Sequence, residues 1–160
     1  MKKWPWFLLS IFVVVIDQLT KYWAESNLIP YQPEAVFSMF NFTLAYNTGA
    51  AFSFLSGVGS WHRWFFAGFS VAMSLVLAIW LGRLSPKAKL QSLALSLILG
   101  GAVGNLYDRA TMGQVIDFID LYYQNHHWPV FNLADAAICL GAFLLLIDMG
   151  ISRQSEVNLV

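Results

Sequence analysis

Two short stretches place a carboxyl group where water is scarce: "VIDF" at residues 115–118 and "FNLAD" at 131–135. Asp117 stands among Val115, Ile116, Phe118 and Ile119, and Asp135 heads the almost pure hydrocarbon run from Ala136 to Ile147. Two carboxyl groups brought together in a poorly hydrated pocket cannot both ionise easily. One pKa rises, leaving one carboxylate and one carboxylic acid at neutral pH. That is an aspartic-protease arrangement, in which the carboxylate takes a proton from water and the acid polarises a scissile carbonyl. Asn105, Arg109 and Asn132 could hold a substrate backbone or neutralise developing charge beside such a pair. Asp17 and Lys21, four residues apart, could instead simply pair along one helix. Asp135 has no basic residue within one turn.

The elements that must position these residues are apolar. Of the 160 residues, 58% are hydrophobic and 11% charged, with an aromatic share of 16%. A soluble domain has about 45–50% apolar and about 25% charged residues, so the composition points to a membrane protein of one domain. Net charge is zero, which argues against a nucleic-acid partner. Four apolar segments, at about 4–24, 62–82, 90–108 and 130–149, approach the roughly 20 residues a spanning helix needs. The first and fourth reach that length only by drawing Asp17 and Asp135 into the membrane. "MKKWPWFLLSIFVVVI" also resembles a signal peptide, but no convincing small-x-small site follows and "DQLTKYW" continues in helical register, so cleavage is not expected.

Orientation and depth follow. Lys2, Lys3, Arg83, Lys87, Lys89 and Arg153 fall on one side of a four-span chain, and Lys21, Arg63 and Arg109 on the other, which puts both termini in the cytoplasm. Asp17 lies 14 residues beyond Lys3, about 21 Å of helix, and Asp148 lies 13 beyond Asp135, about 20 Å. Within a hydrocarbon layer about 30 Å thick, both acids sit at nearly one depth, roughly 10 Å below the outer boundary. The third segment ends in "GGAVGNLYDRA", which brings Asn105, Asp108 and Arg109 near the same level. An ionisable residue inside a membrane is a functional-site hypothesis by default.

Outside the spans, a segment at about 30–60 is long and not polar. Phe40, Phe42, Leu44 and Tyr46 alternate there with Asn41, Thr43, Ala45 and Asn47, the period of a half-buried strand. "NTG" at 47–49 reads as a turn. A small antiparallel sheet on the outer face is expected, with an aromatic interfacial loop as the alternative. The stretch "GQVIDFIDLYYQNHHWPVFN" is read as a second outer loop, able to fold Asp117 back against the helix ends. His126 and His127 are half of a metal site at best, and no metal is expected. Cys139, the one cysteine, is expected to pack in the core. "NFT" at Asn41 fits a glycosylation sequon that matters only in a eukaryotic secretory compartment. Gly100-x-x-x-Gly104 permits close helix contact. Phe52, Phe54, Gly57 and Gly59 would permit a lid to move.

Five motifs together carry more than any one alone. "DQLTK" at 17–21, "NTGAAFS" at 47–53, "GGAVGNLYDR" at 100–109, "VIDF" and "FNLAD" stand in the order and spacing of bacterial lipoprotein signal peptidase, also called signal peptidase II, and the chain resembles that family over nearly its whole length. The resemblance implies four transmembrane helices with a small outer sheet, and an aspartyl endopeptidase of the bacterial inner membrane with its active site near the outer leaflet. Its substrate would be a prolipoprotein already carrying diacylglyceryl on a cysteine, cut just before that cysteine. The family's catalytic aspartates fall on Asp117 and Asp135. Its other pocket positions fall on Asp17, Lys21, Asn47, Asn105, Arg109 and Asn132, with Gly49 and Gly101 allowing close backbone approach. It also implies inhibition by the peptide antibiotic globomycin, and no cofactor. Membrane lipid is the surrounding partner, and a monomer is expected. The alternatives are a proton-coupled transporter, a membrane protein that binds a lipid or peptide without catalysis, and a serine–lysine peptidase. The transporter needs a polar path across the membrane, yet the inner halves of the segments carry almost no charge.

Overall fold

A computed structural model describes residues 3–49 and 61–157, with no account of the side chains of 61–63 and 152–157. The positions Phe52, Phe54, Gly57 and Gly59, the end of the "NTGAAFS" motif and the side chain of Arg63 lie outside the described residues. Among the described residues there are four helices, α1 (Trp4–Asn27), α2 (Trp61–Arg83), α3 (Lys89–Thr111) and α4 (Leu133–Val157), and four strands, β1 (Glu34–Phe37), β2 (Phe40–Asn47), β3 (Val115–Tyr123) and β4 (His126–His127), in the chain order α1-β1-β2-α2-α3-β3-β4-α4. All four helices are long and apolar enough to cross a membrane. Pro5 opens α1, where its missing N–H removes no helical bond.

Helix α3 is the centre of the bundle. Half of its apolar stretch is buried, against 22% in α1 and α2 and 11% in α4. Small residues make this packing possible. A Cβ on Gly100 would stand 2.6 Å from Val13 Cβ of α1, and one on Gly104 would stand 2.6 Å from the Asp17 carboxylate. A Cβ on Gly101 would collide with the backbone carbonyl of Ala134 in α4. The Gly100-x-x-x-Gly104 spacing thus brings α1 against α3. Gly101→Ala should lower stability by about 1–3 kcal/mol, because a backbone carbonyl cannot step aside. Gly68→Ala, with nothing within 4 Å of the new Cβ, should leave the melting temperature in detergent unchanged or slightly raised. Equal melting of the two variants would remove the close contact from the account.

Apolar residues elsewhere on the helices stay exposed, Phe12, Phe69 and Phe143 among them. Cys139 is exposed as well, which corrects the expectation of core packing. It lies on the broad unburied face of α4, where an apolar thiol meets hydrocarbon instead of protein.

The sheet is antiparallel in the order β1-β2-β3-β4 and draws on both connecting segments. It follows the C-terminal ends of α1 and α3, at the end of the bundle where α4 begins. Residues 115–123 are therefore strand and not loop, which corrects the reading of Asp117 as loop-borne. The alternation test failed there because Val115, Ile116, Asp117 and Phe118 are all buried, so no polar face marks the strand. Ile116 and Phe118 pack with Ala24 of α1, with Leu28 just past its end and with Leu44 of β2. At the other edge of β3, the N–H groups of Phe118 and Ile119 both donate to the carbonyl of Phe131, at 3.0 and 2.8 Å. That bridge carries the chain past β3 immediately before Asn132 and α4.

Candidate active site

The bridge at Phe131 sets Asn132 beside β3, and Asn132 then caps α4. Its Oδ1 accepts the Asp135 N–H at 2.9 Å, and the Asp135 carboxylate accepts the Asn132 N–H at 3.3 Å. This is the reciprocal geometry of a capping box, and it satisfies helix N–H groups that would otherwise be bare. The helix dipole adds favourable potential at the same place. An acid heads the apolar run of α4 because that end needs one.

The same asparagine reaches the other acid. Asn132 Nδ2 lies 2.7 Å from Asp117 Oδ1, 3.1 Å from the Ile116 carbonyl and 3.1 Å from Asn105 Oδ1. Asn47 Nδ2 donates to the second Asp117 oxygen at 3.0 Å, and Asn105 Nδ2 donates to Asp135 Oδ1 at 2.7 Å. Two acids 18 residues apart thus meet around one shared residue. Asp117 is 2% exposed. Burial, and after it the charge of Asp135, push the Asp117 carboxyl up to about 7.

Below the pair lies a closed charge cluster. Lys21 Nζ is 2.8 Å from Asp17 and 2.7 Å from Asp108, and donates to Asn105 Oδ1 at 3.0 Å. An ammonium has three protons, and each has an acceptor. Gln18 bonds Asp108 at 2.8 Å and Asp17 at 3.2 Å. Asp17 accepts the Ala134 N–H at 2.9 Å, and Asp108 the Ile116 N–H at 3.3 Å. One cluster thereby ties α1 to α3, to the start of α4 and to the start of β3.

Comparison with known proteins agrees with this architecture. The family model described as Signal peptidase (SPase) II matches residues 9–151. The chain belongs to the signal peptidase II family. A lipoprotein signal peptidase of Pseudoalteromonas atlantica (strain T6c / ATCC BAA-1087) is 52% identical over 150 residues, covering 94% of this chain and 91% of that one. That of Cellvibrio japonicus (strain Ueda107) is 50% identical over 149 residues, covering 93% and 88%. Two solved structures of a bacterial membrane enzyme, obtained by the in meso method, align with TM-scores of 0.81 and 0.82 at 30% identity. They cover 91% and 94% of this chain, and 92% and 90% of theirs. As a signal peptidase II the chain is a peptidase, and its four apolar helices make it a multi-pass membrane protein.

Several site positions of this signal peptidase II act otherwise than their residue types alone suggest. Asn105 and Asn132, read from sequence as possible substrate holders, spend their amides on the aspartates. The Asp17–Lys21 helix pair exists but is part of a larger cluster. Arg109 is partly buried, acted on by the charges of Asp135, Asp117 and Asp108 in that order. Among the described residues its guanidinium closes no ion pair. Gly49 has φ +89, donates its N–H to Asn47 Oδ1 at 2.9 Å, and would meet the Phe66 ring with a Cβ. Its positive φ fits the expected turn.

Sequence reasoning did not assign Asp108, Gln18 or Asp120. Lys21 itself was the available signal, since an ammonium buried at this depth asks for more than one acceptor. His127 is engaged by two other neighbours in the sheet. Its Nδ1 lies 2.7 Å from Asp120 and its ring stacks on Tyr122. Among the described residues no group of three or more His, Cys, Asp or Glu side chains could hold a metal. Asn41, the sequon residue, is buried and bonded to Asp120.

Proposed function

We propose that this chain is an aspartic endopeptidase that removes the signal peptide from prolipoproteins carrying diacylglyceryl on a cysteine, cutting just before that cysteine. Asp117 and Asp135 are its catalytic pair. The observation that carries the reading is the convergence of both carboxyl groups on Asn132. The names of the relatives, lipoprotein signal peptidases, support the substrate class.

Below about pH 7 Asp117 holds the proton of the pair, and the Asp135 carboxylate takes a proton from a water held between them. The water oxygen attacks the scissile carbonyl carbon while the acid form of Asp117 gives its proton to the carbonyl oxygen. The tetrahedral adduct collapses: one of its hydroxyl groups returns a proton to Asp117 as the carbonyl re-forms, the C–N bond breaks, and the proton gained by Asp135 passes to the departing nitrogen. Asn47, Asn105 and Asn132 hold the carboxyl groups by their amides, so the geometry is set before substrate arrives. Arg109 offsets the charge that develops on the adduct. Asp17 and Lys21 hold Asn105 and the head of α4, while Gly49 and Gly101 allow close approach. The protein works as a monomer in the bacterial inner membrane with both termini cytoplasmic, and the pair lies near the outer leaflet, where a lipid-anchored peptide emerges. A peptide antibiotic such as globomycin would occupy the same site.

Purified protein given a diacylglyceryl-modified prolipoprotein and its unmodified precursor tests this directly. Mass spectrometry should find a new N-terminal lipidated cysteine from the first and no product from the second. Equal cleavage of both would sink the substrate assignment. A pH profile tests the mechanism. With the Asp117 carboxyl raised to about 7, the pair keeps its shared proton below that pH and loses it above. The rate should therefore fall on an alkaline limb near pH 7, an apparent value that belongs to the pair. A rate still level at pH 9 would exclude Asp117 as the acid.

A further inference from the structure

Asp120 takes no part in the chemistry above, yet it is 2% exposed and fully bonded. Asn41 Nδ2 donates to its Oδ2 at 3.2 Å and Thr43 Oγ1 to the same oxygen at 2.9 Å, while His127 Nδ1 meets Oδ1 at 2.7 Å. Burial would raise this carboxyl, but the bonds from His127, Asn41 and Thr43 outweigh it and hold it below the usual carboxylate range. As a buried anion it accepts only donors, and any arrangement that withdraws them leaves a costly unpaired charge.

The position of these bonds along β2 gives them a second consequence. Phe42 pairs with Ile119 and Ala45 with Asp117, so β2 advances three residues while β3 advances two. The slip falls at Thr43 and Leu44, which are both buried. Asn41 and Asn47 are six residues apart and would leave an unbroken strand on one face. Asp117 and Asp120 are three apart and leave β3 on opposite faces. The slip reverses β2 between the two asparagines, and so Asn41 faces Asp120 while Asn47 faces Asp117. Sliding β2 by one residue would turn Asn47 away from Asp117.

We infer that Asp120 is a positioning residue for the reaction: by gripping Asn41 and Thr43 it holds the register slip that turns the Asn47 amide onto Asp117. Bulges beside active sites commonly re-aim a side chain in this way. The inference rests on Asp117 being catalytic, as proposed above.

A double-mutant cycle with Asn47→Ala tests it, with Asp120→Asn as the main variant and Thr43→Val as a milder one should Asp120→Asn fail to fold. Each single change should lower kcat about tenfold, the worth of one hydrogen bond to a charged group, with KM within about twofold. If Asp120 and Thr43 act through Asn47, adding either change to Asn47→Ala should lower kcat less than about twofold further. The alkaline limb gives a readout that plain loss of stability would not move. The Asn47 bond holds the Asp117 carboxyl down, so each single variant should move the limb to higher pH, while Asp135, Lys21 and Arg109 still face Asp117. Losses that multiply in the double variant, or a limb that stays in place, would overturn the inference. Activity surviving in Asp117→Asn would instead remove the catalytic reading on which it rests.

Discussion

Asparagine in place of Asp117 or of Asp135 is expected to reduce prolipoprotein cleavage by at least about 10³-fold, within the range for losing a general acid or base. An amide cannot take the water proton at 135, and at 117 it cannot give one to the carbonyl oxygen. Size and hydropathy hardly change, so both variants should insert and accumulate like the parent. Stability should respond unequally. Both Asp117 oxygens accept amide hydrogens, from Asn132 and Asn47. An asparagine there must turn its own NH₂ toward one of those donors and forfeit one bond, about 1–3 kcal/mol. At 135 the amide oxygen can keep the Asn105 bond, and the loss is confined to the helix cap, about 1 kcal/mol. Initial rates in detergent, set beside melting curves for each variant, separate the two effects. A variant that folds and still cleaves within tenfold of the parent would end the catalytic role of that residue.

The second large effect is structural. Lys21→Met should destabilise the protein by about 3–5 kcal/mol, the range for breaking a buried ion pair by removing one partner. Lys21 is 1% exposed, and both Asp17 and Asp108 are 0% exposed. Without the ammonium, two carboxylates lie buried side by side, and the Asn105 oxygen keeps only one of its two donors, the Asn132 amide. Asp108→Asn added to Lys21→Met should recover part of the loss by removing one of the two like charges. Asp17 should be the worse residue to neutralise, since the backbone N–H it accepts, from Ala134 of α4, lies closer than the one Asp108 accepts from Ile116, 2.9 Å against 3.3 Å. Thermal unfolding of the four proteins in the same detergent decides this. If Lys21→Met melts with the parent, the cluster is hydrated and contributes little.

How much of this was legible in the sequence varies by residue. Asp135 could be placed at the head of a span from the hydrocarbon that follows it, and level with Asp17 from helix rise, as the bond between Asp17 and the Ala134 N–H agrees. Hydropathy and rise per residue are local properties. Asn47–Gly49 could be read as a turn for the same reason, because the positive φ of Gly49 belongs to one residue. Asp117 could be named as a candidate acid but not placed on a strand. Its neighbours are buried on both sides, and burial without alternation leaves no period to detect. Cys139 misled because an apolar side chain facing lipid and one facing protein have the same sequence signature.

By itself, then, the sequence determined four membrane-length helices, the common level of their polar residues, and five ordered motifs specific enough to point to a family. The tertiary structure alone decided which amide serves which acid, that Asp108 completes the acceptors of Lys21, and that β2 slips by one residue between Asn41 and Asn47. Those outcomes depend on register and on contacts between residues 15 to 117 positions apart. No local pattern encodes them, because a hydrogen bond is chosen by the partners packing brings within 3 Å or so.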